Sequence, residues 1–266
     1  MSTKAIYAYK IAFFTITAKS SLHVGAGGEN FWIVDNLVQR DPSTNLPCIY
    51  STSLKGALRE FMRDYLNTDT KTLFKIFGND KTDVVDDIYE STMKEIANEI
   101  NKNPDLWRKL NIPGDFRFLQ AELLSIPIHK ENKIIHKVTC PWLQENFEEK
   151  LNLFECELSY GKKTETVICV DEILKNEEFC EKVDDYHLPV IARNHLEDGT
   201  STNLWYEQVL PRETKLFFPV LYENVELFEV FKEAVLSKPV QIGANASVGY
   251  GFCKIEFIDS QLKLKP

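Results

Sequence analysis

Between Lys10 and Lys19 lie eight uncharged residues, Ile11-Ala-Phe-Phe-Thr-Ile-Thr-Ala18. Phe, Ile and Thr suit the pleated, half-buried surface of a strand. Eight residues fall far short of the roughly 20 that a bilayer-spanning helix needs. Thr15 and Thr17, and the lack of a small-residue cleavage site, argue against a secretory signal. The expectation is a buried strand, with no membrane partner.

The segments that follow can be placed by the same logic. Ser51–Tyr65 has apolar residues at helical spacing, with Ser51 or Ser53 as the expected N-cap. Thr70–Phe77 reads as a short helix closed by Gly78 in a left-handed cap. Phe116–Ile128 and Ile134–Val138 read as strands. Pro141 opens a helix running to about Leu151. Asn203–Leu210 and Lys215–Leu221 are expected to pair around Pro211-Arg-Glu213. Glu226–Leu236 reads as an amphipathic helix and Gly249–Ile258 as a last strand. Strand, helix, strands, then strands, helix, strand predicts an α+β fold with an antiparallel sheet. The 266 residues are read as one elaborated domain spanning 1–266, with insertions at about 79–112 and 152–190.

Net charge is −9, which by itself argues against nucleic acid. The charge is uneven, however. Residues 1–80 carry 9 basic and 7 acidic side chains, whereas 81–190 carry 14 and 23. A local face can therefore present cations while an insertion carries the acidity. The six cysteines are scattered without a CxxC pair, which reads as free thiols in a reducing cytoplasm.

Three stretches carry candidate chemistry. Gly243-Ala-Asn-Ala-Ser-Val-Gly249-Tyr-Gly251 lets backbone approach a phosphate closely. It precedes a strand and lacks a following Gly-Lys-Ser/Thr, so it is neither a Rossmann fingerprint nor a Walker loop. A simple tight turn explains it equally well. Ser51, Ser53, Lys55 and Arg59 put hydroxyls and cations at a helix start, where a phosphate fits. A capped, solvated helix is the plainer alternative. Asp35 is a lone carboxylate in the apolar run Phe31–Arg40. An ionised carboxylate there suits a hydrated Mg²⁺ or a 2′-hydroxyl better than strong general-base work. His23 follows the first strand, and no G-x-S-x-G elbow supports a hydrolase triad with it. Cys156, Cys169, Cys180 and His187 lack the short paired spacing of zinc ligands.

In their order, these stretches resemble the RAMP superfamily of CRISPR proteins, and within it the repeated backbone subunit of type III-B (Cmr) effector complexes. The resemblance rests on Ser21-Leu-His-Val-Gly-Ala-Gly27, and on Val34–Asp41 with Leu46-Pro47 and Ser51–Arg59. It continues through Phe77-Gly78, Phe118–Pro127, Val138–Pro141, Arg193-Asn194, Glu207–Pro211 and Gly243–Gly251. It departs where Ser51 replaces a usual Gly, where Ala244 replaces a second Gly, where Tyr250 replaces a frequent Lys, and where Gln120 replaces a frequent Asp.

The resemblance implies a ferredoxin-like (RRM-like) core with an inserted thumb, sought in 193–210 or 79–112. It implies guide-RNA binding through His23, Arg40, Ser51, Ser53, Lys55, Arg59, Gly243, Asn245, Ser247, Gly249, Tyr250 and Gly251. It implies cleavage of complementary target RNA at regular intervals, with Asp35 as the catalytic residue and candidate site for Mg²⁺ or another divalent cation brought with the RNA. Further copies of the chain and other Cmr subunits are the expected partners. A non-catalytic scaffold of the same kind of complex, or a stand-alone guide-processing nuclease, are the alternatives.

Overall fold

In a computed structural model, residues 9–27, 34–79, 113–131, 133–158, 163–184, 187–197 and 200–262 are described. The chain is α+β, with its strands gathered mainly in one sheet.

Strand β1 is Lys10–Ala18. A long excursion follows, through β2 (Cys48–Ile49), helix α1 (Ser51–Glu60) and helix α2 (Thr70–Phe77). A π-helical turn, Phe61–Tyr65, continues α1. Then come β3 (Arg117–Phe118), β4 (Ala121–Lys130) and β5 (Lys133–Thr139). Helix α3 (Pro141–Leu153), β6 (Cys156–Leu158), α4 (Thr164–Ile168), β7 (Glu172–Ile173) and α5 (Asn176–Val183) fill the next stretch. A hairpin follows, β8 (Val190–Glu197) and β9 (Thr200–Gln208). The chain then runs through β10 (Lys215–Tyr222), α6 (Val225–Ser237), β11 (Val240–Gln241), β12 (Phe252–Ile258) and β13 (Ser260–Leu262).

The main sheet has the order β11-β12-β1-β10-β4-β5-β7, with β2 beside β4 and β3 beside β10. Every pair in it is antiparallel except β5 with β7. β1 is central and both its faces are covered, which explains its nearly unbroken apolar run. Phe14 and Ile16 join Phe218, Val220 and Ile255 under α1, α2 and α6. Phe13 faces the other way and joins Phe217, Phe147 and Ile168 under α3 and α4. The Phe147 ring stands edge-on to Phe217 at 4.9 Å. Proline in a sheet interior normally costs a ladder bond. Pro219 avoids this because its carbonyl, and so its ring nitrogen, faces the break between β3 and β4, where Leu119 N–H donates to it at 3.1 Å.

Three sequence expectations change. β9 pairs with β8 and not with β10, so the turn at 211–214 leads from one sheet into another. Gly78 has φ 86° but ψ −171°, so it ends α2 at positive φ without being a left-handed cap. Tyr50, and neither Ser51 nor Ser53, is the N-cap of α1, and no side chain caps that end.

The stretch 152–190 forms the last turn of α3 and then β6, α4, β7 and α5, and it sends Leu174, Phe179 and Val183 into the main core. Of the expected insertion at 79–112, only residue 79 is described. Among the described residues no helix is long and apolar enough to cross a membrane.

Candidate functional site

Four stretches of chain meet beyond the end of β1. Leu22 exchanges both backbone bonds with Leu210, at 2.9 and 2.8 Å. Gln39 N–H donates to Val24 O at 2.8 Å, and Gln208 N–H to Asn36 O at 2.9 Å. Ala244 N–H donates to His23 O at 2.9 Å. The exit of β1, the segment around Asp35, the end of β9 and the Gly243–Gly251 loop are thereby one hydrogen-bonded platform.

Asp35 is exposed on this platform. Its Oδ2 accepts from Tyr206 N–H at 2.8 Å. Its own N–H donates to Tyr206 O at 3.1 Å. The carboxylate is held against β9 while Oδ1 accepts no hydrogen bond among the described residues. His23 is buried, with Nδ1 2.7 Å from Gln208 O. A carbonyl only accepts, so Nδ1 carries the proton, and the ring acts as a strut between the β1 exit and β9. Arg40 Nη1 donates to Asn45 O at 2.7 Å and to Val183 O at 2.9 Å, tying this segment to the end of α5.

At α1, the N–H groups of Ser51, Thr52 and Ser53 make no hydrogen bond among the described residues. The first in the helix to do so is Leu54, which donates to Tyr50 O. Ser53 Oγ accepts from Gln39 Nε2 at 2.9 Å. Lys55 is half-buried, and no ion pair holds it among the described residues. Burial strips its water and Arg59 and Arg117 repel it, so its pKa is lowered. Arg59 does not join it at the surface as the i, i+4 spacing predicts. It is 6% exposed and its Nη1 donates to Gly78 O at 2.7 Å, so this cation closes the end of α2 rather than awaiting a phosphate.

The glycine loop takes its shape from close approaches. Gly243 has φ +85°, and a Cβ there would lie 2.2 Å from His23 O. Gly251 has φ +76°, and a Cβ there would lie 2.1 Å from Ile242 O. Between them Asn245 is left-handed at φ 66°, followed by a 3₁₀ turn over Ala246–Val248. The N–H groups of Asn245, Ala246 and Ser247 make no hydrogen bond among the described residues. A left-handed residue leading into a right-handed turn aims successive N–H groups into one concavity, the geometry of an anion nest. Ser247 and Gly249 are exposed along it.

Sequence reasoning did not single out the residues that lock this loop. Glu207 is 6% exposed. It accepts from Trp205 Nε1 at 3.0 Å and from Asn245 Nδ2 at 2.9 Å, and it stands 3.4 Å from Arg193 Nε. The Arg193 guanidinium in turn covers the Tyr250 ring at 4.9 Å. Asn245 and Tyr250 thus turn their side chains toward the hairpin, and the Tyr250 N–H donates to Asn245 O at 3.2 Å, while the N–H groups of Asn245, Ala246 and Ser247 are left to the open side. Gln39 and Gln208 are likewise buried. Gln39 Nε2 donates to Gly25 O at 3.2 Å, and its Oε1 accepts from Tyr50 N–H at 2.7 Å. Their stretches belong to the resemblance, but partners 11 to 185 positions away leave no local trace.

The platform presents two unpaired sets of backbone donors, a lysine without a counter-charge, and a tethered carboxylate with one open oxygen. Helix N-termini and nests bind phosphate oxygens, so the site suits a polyanion running past a carboxylate.

The family model of the RAMP superfamily matches residues 15–254, and the chain belongs to that superfamily. The Cmr endoribonuclease Cmr4 of Pyrococcus furiosus is 24% identical over 93% of this chain and 95% of its own length. The Csm3 endoribonuclease of Enterococcus italicus is 32% identical over only 24% of the chain. Among solved structures, a chain of the type III-B Cmr-beta complex in its apo state superposes with TM-score 0.69 at 18% identity, covering 95% of this chain and 98% of that one. Oligomeric Cmr4 from Pyrococcus furiosus gives 0.61 at 17% identity, covering 94% and 98%.

Proposed function

We propose that this chain is a guide-RNA-binding backbone subunit of a type III-B CRISPR effector complex that cleaves complementary target RNA at regular intervals. The observation that carries the reading is Asp35. In a chain that aligns over nearly its whole length with a Cmr endoribonuclease, it is an exposed carboxylate tied to the Tyr206 backbone of β9 by two hydrogen bonds, with one oxygen left open.

The strand order β12-β1-β10-β4, with helices following β1 and β10, supports a ferredoxin-like core. The β8–β9 hairpin, a two-stranded sheet of its own with Leu204 55% exposed, supports its assignment as the thumb. The alternative thumb position in 79–112 lies, beyond residue 79, outside the described residues. Buried free cysteines at 48, 140, 156 and 253 support a reducing cytoplasm.

In this reading the Asn245–Ser247 nest, the Ser51–Ser53 helix start and Lys55 hold guide phosphates, which position without reading sequence. Base pairing with the guide selects the target. The hairpin splays one target nucleotide, so that its 2′-oxygen lies in line with the adjacent phosphorus. The 2′-oxygen–phosphorus bond forms as the bond to the 5′-oxygen breaks; the 2′-hydroxyl proton passes to water and the leaving 5′-oxygen takes a proton from water. The products are a 5′-hydroxyl and a 2′,3′-cyclic phosphate, or a 3′ phosphate once water opens the ring. Asp35 accepts a hydrogen bond from the 2′-hydroxyl and orients it. Among the described residues no group of three His, Cys, Asp or Glu side chains could hold a metal. A single carboxylate fits Mg²⁺, which keeps several waters and completes its shell with substrate phosphates. In the alternative role for its one open oxygen, Asp35 would hold the ion, which when bound supplies charge neutralisation at the scissile phosphate. Further copies of the chain and other Cmr subunits complete the assembly.

The test is cleavage by the assembled complex, with guide RNA, end-labelled complementary RNA and Mg²⁺, comparing wild type with Asp35→Ala. A regular ladder that vanishes in the variant while target binding persists supports the reading. An unchanged ladder refutes the role of Asp35, and tight binding without cleavage by wild type leaves a scaffold.

A further inference from the structure

Beyond the RNA platform, two cysteines share a cavity. β5 and β7 run parallel with Thr139 beside Ile173, and Leu174 N–H donates to Thr139 O at 2.8 Å. The helices after these strands therefore start side by side, and Trp142 N–H donates to Asn176 Oδ1 at 3.1 Å. Cys140 is the residue immediately before α3. Cys180 is one turn beyond Asn176 and, at i+4, on the same face of α5. Both residues line a cavity of about 260 Å³ with Thr44, Leu46, Trp142 and Asn176. Cys180 is exposed and Cys140 is buried.

We propose that Cys140 and Cys180 form a peroxide-responsive dithiol that closes to a disulfide and staples α5 to the start of α3. The exposed sulfur reacts first. The Cys180 thiol gives its proton to solvent, the thiolate attacks the peroxide, the O–O bond breaks, and a sulfenic acid forms as hydroxide leaves and takes that proton back as water. The Cys140 sulfur then attacks the Cys180 sulfur. The S–S bond forms, the S–O bond breaks, and the Cys140 proton leaves with the hydroxyl as water. Two electrons pass from the thiols to the peroxide. Disulfides in reducing compartments are typically transient and redox-sensing, and an exposed thiol beside a resolving thiol is the arrangement such sites use. The other cysteines fit this role less well. None of them lines a described cavity with a second cysteine, and Cys140, whose thiol burial raises as it does those of Cys48 and Cys253, serves as the resolving and not the attacking thiol. The staple would fall one turn before the Val183 carbonyl that receives Arg40, so it would stiffen the anchor of the segment that carries Asp35.

The test uses the full reduced chain, treated with hydrogen peroxide and analysed by intact mass and peptide mapping. The expected result is loss of about 2 Da, two of the six thiols becoming unreactive, and a Cys140–Cys180 linked peptide that dithiothreitol removes. Cys180→Ser abolishes the link. Cys140→Ala leaves a sulfenic acid at Cys180 that dimedone traps. Six thiols still reactive after peroxide, a link joining any other pair or two chains, or Cys180 advancing to sulfinic acid with Cys140 intact would each overturn the proposal. Because Cys180 is exposed, its serine variant tests the idea even if the Cys140 variant fails to fold.

Discussion

Replacing Gly243 with alanine separates two reasons a loop can require glycine. Alanine at positive φ costs about 1–2 kcal/mol in backbone strain. At Gly243 there is also a collision, because the new Cβ would lie 2.2 Å from His23 O. Real contacts of this kind stay beyond 3.0 Å, so one backbone segment must retreat by about 1 Å. That retreat breaks the bond from Ala244 N–H to the same carbonyl, which adds about 1–3 kcal/mol for a buried acceptor left unmade. Gly249 supplies the control. It has φ +84° with nothing within 4 Å of its added Cβ, so Gly249→Ala should cost the strain alone. The expected gap between the two variants is about 2 kcal/mol, or roughly 4–8 °C in Tm for a chain of this size. Thermal and urea unfolding of both variants, with guide-RNA binding measured alongside, would resolve it. Equal destabilisation, or a larger loss at Gly249, would refute the idea that the β1 exit moulds this loop.

Three further outcomes are expected. Burial alone would raise the pKa of Asp41, but hydrogen bonds from Gln120, Ser43 and Thr44 outweigh it and the carboxyl is held low. Such a group adds stability that is present above the ordinary carboxylate pKa and is lost as pH falls through the lowered value. Gln120→Glu turns the donor, 2.9 Å away, into a second carboxylate and should cost about 2 kcal/mol at neutral pH. The deficit, followed by urea unfolding, should shrink toward about pH 4 as the pair takes up a proton. Lys55→Met should raise Tm of the free chain by removing repulsion from Arg59 and Arg117, yet weaken RNA binding and flatten its salt dependence. The lowered pKa of Lys55 gives the same sign: stability should rise as pH climbs through the window below 10.5, where the unfolded chain binds more protons. Glu207→Ala should destabilise by about 2 kcal/mol, because it leaves the half-buried Arg193 without its carboxylate and the Trp205 and Asn245 side-chain donors without their acceptor. Glu207→Gln, which keeps the shape and most of the hydrogen bonds, should lose less, and differential scanning calorimetry would rank the two.

Where the sequence was legible, the signal was local. The run Ile11–Ala18 became Lys10–Ala18, and the periodicity of Glu226–Leu236 became Val225–Ser237. Pro141 opened its helix as its missing N–H predicts. Chain reversal at 211–214 was also legible, but strand partnership was not. Asn203–Leu210 alternates well enough for either neighbour, and β8 captured it. Arg59 failed for a related reason. Its spacing from Lys55 is a property of one helix, whereas the carbonyl that draws it inward belongs to Gly78 at the end of another.

The amino-acid order alone determined that strands open and close the sheet-forming part of the chain, that Ile11–Ala18 is one of them, and that backbone able to take positive φ lies at Gly243–Gly251. These follow from periods of two to four residues and from the conformational freedom of glycine, and no partner need be known to read them. Only the tertiary structure decided that Asp35 is pinned to Tyr206, that Glu207 grips Asn245, and that His23 struts the β1 exit against β9. Each of these joins residues 38 to 185 positions apart. Such contacts form only after the sheet has closed the intervening loops, and neither partner carries a local sign of the other.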